Sequence, residues 1–252
     1  IDLIFSKNWK QSEFKELAGL LEMAGGNSIN NTAIDYQDIC GNMIYTENTL
    51  SNNNFLIMSP SFKKEYNNLI TQKKFKEAAT YMINYFRMAE SVLGEDLSCK
   101  YEIVEREIGS FGTIDPTETQ GEDVVDNNGD KLPTKIRVVK PIMSYATPEW
   151  VYYALYHEFI HVFQFQVLGM FGNPNRNERE FFAYSYTIRH AIDNRYSVRI
   201  DQETFDGGSD EFNNGGWRWK LNGYYNNLSH FLMIKYKSFY NSTWLLYRYN
   251  PN

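Results

Sequence analysis

A chain of 252 residues, 42% hydrophobic and 22% charged, is long enough to bury a full core, and its composition excludes disorder as the default state. Its formal net charge is −6, and no stripe or cluster of Lys and Arg stands out, which argues against a nucleic-acid partner. With 19 Tyr and 17 Phe, rings should line much of the core and of any cleft. The two cysteines, Cys40 and Cys99, are too few for a disulfide framework and read either as one bridge or as two free thiols.

In chain order, Trp9 to Met23 carries Phe14, Leu17, Leu20 and Leu21 at helical spacing and ends at Gly25-Gly26, which predicts a helix. A polar, Asn-rich stretch follows to about Asn54. From Ser61 to Leu93 the pattern is helical again, with Phe75, Ala78, Ala79, Met82, Tyr85, Phe86 and Ala89 on one stripe and Gly94 closing it. Tyr101–Val104 and Lys135–Val139 read as strands. Between them, Asp126-Asn127-Asn128-Gly129-Asp130 lacks the ligand spacing of a calcium loop and reads as a hairpin turn. Thr147, Pro148 and Glu149 then open a long helix as N-cap, first residue and dipole-compatible acid, and the helix runs to Leu168 and stops near Gly169. A further helix is expected from Asn177 to Arg195, and the last quarter, Trp217 to Tyr249, reads as largely helical after a Gly-rich loop. The expected class is α+β, mostly helical with a small mixed sheet. It is expected as one domain, 1–252, with a helical part over 1–95 and a site-bearing part over 96–252.

The chemistry centres on His157-Glu158-Phe159-Ile160-His161. Helical residues four apart are separated by about 40° and about 6 Å, so two imidazoles at this spacing can converge on one metal at about 2.0–2.1 Å. Glu158 sits one residue round the helix, where it can reach an attacking water without being a ligand. Two zinc ligands and a general base thus come from one turn. From Trp150 to Leu168 the helix is apolar on almost every side; Gln164 and Gln166 are the other interruptions. Two His and a Glu inside such a helix are costly to bury without partners. The bland alternative makes them core histidines bonded to carbonyls, with Glu158 paired to an Arg.

A zinc ion, one per chain, needs a third protein ligand, and the expected one is Glu180, 19 residues after His161. Here the sequence resembles the gluzincin metallopeptidases, in which a Glu on the next helix completes the site. Glu180-Phe181-Phe182-Ala183 is similar to the Glu-x-x-Ala of CAAX-prenyl endopeptidase-like members, while the spacing is closer to thermolysin. That branch places an Asp four residues after the ligand, where this chain has Tyr184. Glu178, about 200° round the helix from Glu180, stays open as the other ligand. The resemblance spans roughly Thr147 to Arg195 and implies a zincin-like fold.

The resemblance also implies a reaction: hydrolysis of a peptide bond in a peptide or protein substrate, with Glu158 as general base. It further implies a downstream His or Tyr at the oxyanion; His230 is the expected residue, with His190 and Tyr186 as competitors. In such folds the strand before the site helix borders the cleft; Ile136 to Met143 occupies that place, and reads either as that edge, where an extended peptide could pair, or as one more member of the sheet. The cluster Trp217, Trp219, Tyr224 and Tyr225 reads as core or as a sugar or peptide platform. Two other functions compete: a non-catalytic surface or binding protein on the same scaffold, and a zinc hydrolase acting on another bond. No second apolar run of membrane-spanning length exists, so a membrane-spanning protein is not expected. The chain begins at Ile1, and the expectation is that an upstream segment, such as one carrying a lipid anchor, has been removed. Asn- and Tyr-rich loops, common in surface proteins of low-GC bacteria, set the expected location outside the cytoplasm: periplasm, cell surface or secreted.

Overall fold

A computed structural model describes residues 58–107, 115–119, 131–170, 176–194, 198 and 216–249. The helix expected over Trp9–Met23, the Asn-rich stretch, Cys40 and the turn around Asn128-Gly129 lie outside these residues. The chain divides into two units, Ile1–Tyr36 and Gln37–Asn252, and everything described below belongs to the second.

The long helical pattern after Ser61 is two helices. Ser59 accepts a hydrogen bond from the Phe62 N–H at 3.1 Å and Pro60 takes the first position, so α1 spans Pro60–Thr71 and α2 spans Phe75–Phe86. The break lies at Lys73, whose φ of 59° is left-handed and cannot continue a helix. Arg87 ends α2 in the same conformation, at φ 51°, well before the expected stop at Gly94. Gly94 serves instead in a tight turn, with φ of 86° and Val92 bridging Glu95. The ring of Phe62 packs against those of Tyr81 and Phe86, and Phe86 meets Tyr152 edge-on at 4.7 Å. A ring contact thus helps to join this pair to the helix that bears the site.

The sheet is small and mixed. Strands β1 (Tyr101–Arg106), β2 (Thr117–Thr119) and β3 (Thr134–Val139) lie in the order β1-β3-β2. β3 runs parallel to β1 and antiparallel to β2. This corrects the edge reading of Ile136–Met143: β3 is the central strand, with both sides paired, and Lys140–Met143 is a short helix, α3, entered through Pro141. Among the described residues β1 and β2 are the edge strands, and the three residues of β2 are too few to reveal it by alternation. Thr117 is buried, while Glu118 points to the other face and pairs with Arg106 and Arg137.

Helix α4, Pro148–Gln166, starts as expected: Thr147 accepts from the Trp150 N–H at 3.2 Å, and Glu149 is ion-paired with Lys63. Tyr153, Leu155, Phe159 and Ile160 are fully buried. Phe159 packs on Tyr101 of β1, and Tyr153 on Trp217. At its far end Gln166 donates to Leu132 O and Thr134 Oγ1, pinning the helix to the start of β3. Helix α5, Arg176–Asp193, packs on α4, on α6 (Trp217–Asn226) and on α7 (His230–Tyr249). Phe181 anchors it against Tyr225, Tyr236 and Phe239. The described residues are thus mostly helical beside a three-stranded sheet, and no described helix is long and apolar enough to cross a membrane.

Candidate metal centre

Helix periodicity puts His157 and His161 on the face of α4 that meets α5, and α5 answers with Glu180. His157 Nε2 and His161 Nε2 stand 3.2 Å apart, and Glu180 Oε2 lies 3.4 Å from the first and 3.6 Å from the second. A tetrahedral site with bonds of 2.0–2.1 Å has ligand-to-ligand edges of about 3.3–3.4 Å. The three atoms therefore have the spacing of three corners around one zinc-sized cation.

The ring nitrogens facing away from this point decide which form the imidazoles take. His161 Nδ1 lies 2.8 Å from Gln164 Oε1, and Gln164 Nε2 donates to the Arg179 carbonyl at 3.0 Å. The amide oxygen can only accept, so His161 carries a proton on Nδ1, and its neutral form keeps the lone pair on Nε2. His157 Nδ1 lies 3.4 Å from Thr187 Oγ1, whose own hydrogen goes to the Ala183 carbonyl at 2.8 Å. The same logic leaves the lone pair of His157 on Nε2. Two lone pairs and a carboxylate oxygen thus face one another in a buried place, an arrangement that calls for a cation. Against the effect of burial, His161 and His157 hold Glu180 well below the usual carboxylate range. Burial likewise disfavours a charged His161, yet Glu180 lifts its pKa to about 9, so without a metal a proton on Nε2 stands where a cation would bind. Each group in the cluster prefers the charge state that a neighbouring opposite charge permits.

Glu158 is 5% exposed. Its Oε2 accepts a hydrogen bond from the Thr119 hydroxyl of β2, while Oε1 has no partner among the described residues. Burial raises its pKa, and His157, His161 and Thr119 pull it back only in part. A raised carboxylate with one free oxygen is the form a general base takes. The bland reading of the pentad, with carbonyl-bound histidines and an Arg-paired Glu, does not describe these contacts.

The two glutamates of α5 separate: Glu178 accepts from the Tyr236 hydroxyl on the opposite side of the helix, and Glu180 faces the histidines. Tyr184, in place of an Asp, packs its ring 4.4 Å from that of His157. Lys220, paired with Asp115 at 3.0 Å, lies 5.3 Å from the centroid of the Tyr184 ring. His230 is not brought to the site. It is exposed at the first residue of α7, because the helix begins beyond the aromatic seam that α7 forms with α5. His190 is stacked on Tyr156 at 3.8 Å and bonded to Tyr152, and Tyr186 packs on Phe239; neither touches the three ligand atoms. Of the aromatic cluster, Trp217 and Tyr225 are core and Trp219 is exposed, while Tyr224 stacks on Tyr184. Sequence reasoning missed Gln164, Thr187 and Thr119 as partners of the site. Gln164 carried a usable signal, a polar residue inside an apolar helix three positions after a ligand; the threonines carried none.

Cys99 is disulfide-bonded, and the sequence holds one other cysteine, Cys40. Compared with known proteins, the chain matches no family model, no curated protein and no solved structure.

Proposed function

We propose that this chain is a zinc-dependent metallopeptidase of the gluzincin kind, with His157, His161 and Glu180 as ligands and Glu158 as general base. The observation that carries the reading is the set of Nε2, Nε2 and Oε2 atoms at 3.2, 3.4 and 3.6 Å, one residue from a buried carboxylate that is not part of the set. Zinc held there supplies Lewis acidity, activating water and polarising a carbonyl. Glu158 takes a proton from the attacking water on Oε1 as the new C–O bond forms, then returns it to the leaving nitrogen as the C–N bond breaks. Gln164 and Thr187 keep both Nε2 lone pairs aimed inward throughout.

A peptide substrate is supported by the edge of β2. The Val139 N–H donates to the Pro116 carbonyl at 2.8 Å, and in an antiparallel ladder every second residue repeats that pairing. Glu118 therefore faces β3, and Thr117 and Thr119 turn their main-chain groups outward. An extended chain can add to such an edge as a further strand, beside Glu158. A disulfide at Cys99 fits an oxidising, extracytoplasmic compartment.

Purified chain loaded with zinc is expected to hold about one zinc and to cleave members of a broad peptide library. Glu158→Gln is expected to keep the metal and lose cleavage, since it removes the base and spares the ligands. A parent that takes up no stoichiometric zinc, or a Glu158→Gln chain that still cleaves, refutes the proposal.

A further inference from the structure

We infer that Thr119 is the positioning residue of Glu158: its hydroxyl holds one oxygen of the buried carboxylate so that the other is presented to the reacting water. This rests on the hydrolytic reading above and extends it to a residue outside both ligand helices.

Three observations converge on Thr119. It is the one described group that hydrogen-bonds Glu158, a side chain with three rotatable bonds whose carboxylate is otherwise untethered. Its hydroxyl donates to Oε2 and leaves Oε1 without a partner, dividing the carboxylate into a held end and a working end. Its main chain belongs to an edge strand of the described sheet, in register with Ile136 of β3. The strand that offers an edge to an extended substrate thus also fixes the base, so a chain docked on β2 and the carboxylate that serves it share one rigid support.

The hydroxyl suits a full turnover. When Oε1 takes a proton, Oε2 becomes the carbonyl oxygen of a carboxylic acid and still accepts from Thr119, so the tether need not break. Packing alone does not require a hydroxyl on this face of β2. Two residues earlier, Thr117 is 1% exposed and its Oγ1 has no hydrogen-bond partner, so a buried threonine hydroxyl persists here without an acceptor. At 119 the acceptor is the base.

The test uses the full chain loaded with zinc. Thr119→Val is nearly the same shape and suits a strand, but it cannot donate. The expected result is a fall in kcat of about 10–100-fold, the range seen when an outer partner of a metal site is lost, with KM and zinc content little changed. Thr119→Ser restores the donor and is expected to recover most of the loss. A second readout needs no turnover: the losses in melting temperature for Thr119→Val and Glu158→Ala, measured singly and together, are expected not to add, because the second change has no bond left to break. An active parent whose kcat survives Thr119→Val, a Ser variant no better than Val, or additive losses overturns this role alone. A parent with no hydrolytic activity removes the proposed function and this role with it.

Discussion

Glu178 and Glu180 lie two residues apart on α5 and face opposite ways: Glu180 Oε2 stands 3.4 Å from His157 Nε2, while Glu178 accepts a hydrogen bond from Tyr236. On a helix two residues span about 200°, so a packing that presents one carboxylate to α4 must turn the other toward α7. The rings of Phe181 and Phe182, set against Tyr236 and Phe239, hold that choice. Glu180→Ala is therefore expected to weaken zinc binding by more than about 100-fold, since outer partners alone account for ~10–100-fold. Glu178→Ala is expected to leave it within a few-fold of the parent. Competition against a zinc chelator measures both. Equal affinity of Glu180→Ala and the parent would remove Glu180 as a ligand and the gluzincin label with it.

Gln164 makes the second prediction. Its amide oxygen fixes the proton of His161 on Nδ1, and its amide nitrogen is spent on the Arg179 carbonyl of α5, so it cannot flip without losing both bonds. Gln164→Leu keeps the volume and the helix but frees the imidazole to rotate and to change tautomer. Zinc affinity is expected to fall by about 10–100-fold, with far-ultraviolet circular dichroism unchanged. Affinity equal to the parent's would mean that packing alone orients His161.

The parts of this site that could be read from the chain are those written at a fixed local spacing. His157, Glu158 and His161 share one turn, and Thr147-Pro148 marks where that turn's helix begins, so periodicity alone brings them together. Glu180 against Glu178 was half legible: the pattern put both on one helix, and only the docking of Phe181 and Phe182 decided which faced inward. Thr119 and Thr187 were not legible at all. A threonine in a strand or a helix looks the same whether its hydroxyl meets a ligand or a carbonyl, and β2 has no period to detect in three residues. Whether Ile136–Met143 forms the sheet edge or one more of its strands was not legible for a related reason. Strand order depends on where Thr117–Thr119 pairs, a contact made across a stretch of chain with no alternation. His230 failed because counting residues past Glu180 says nothing about how α7 lies on α5.

His190 gives a pH prediction that does not depend on the metal. Its ring is stacked between helices on Tyr156 and bonded to the Tyr152 hydroxyl, and burial lowers its pKa from 6.5 to about 4. The folded chain thus keeps His190 neutral over a range in which the unfolded chain protonates it. Unfolding then takes up a proton, so stability rises with pH through that range. The contribution is fully present above about pH 6.5 and is lost as pH falls toward 4. Over that window it amounts to about 2–3 kcal/mol. His190→Phe keeps the stack on Tyr156 and has nothing to titrate. Urea midpoints measured at pH 7 and pH 4.5, with a chelator present in both chains, are expected to fall more steeply for the parent than for His190→Phe. Comparing the two chains cancels the titration of His157, His161 and Glu180, which they share. Parallel losses in parent and variant would show that His190 titrates alike in the folded and unfolded chains, and that its packing between Tyr152 and Tyr156 leaves it open to water.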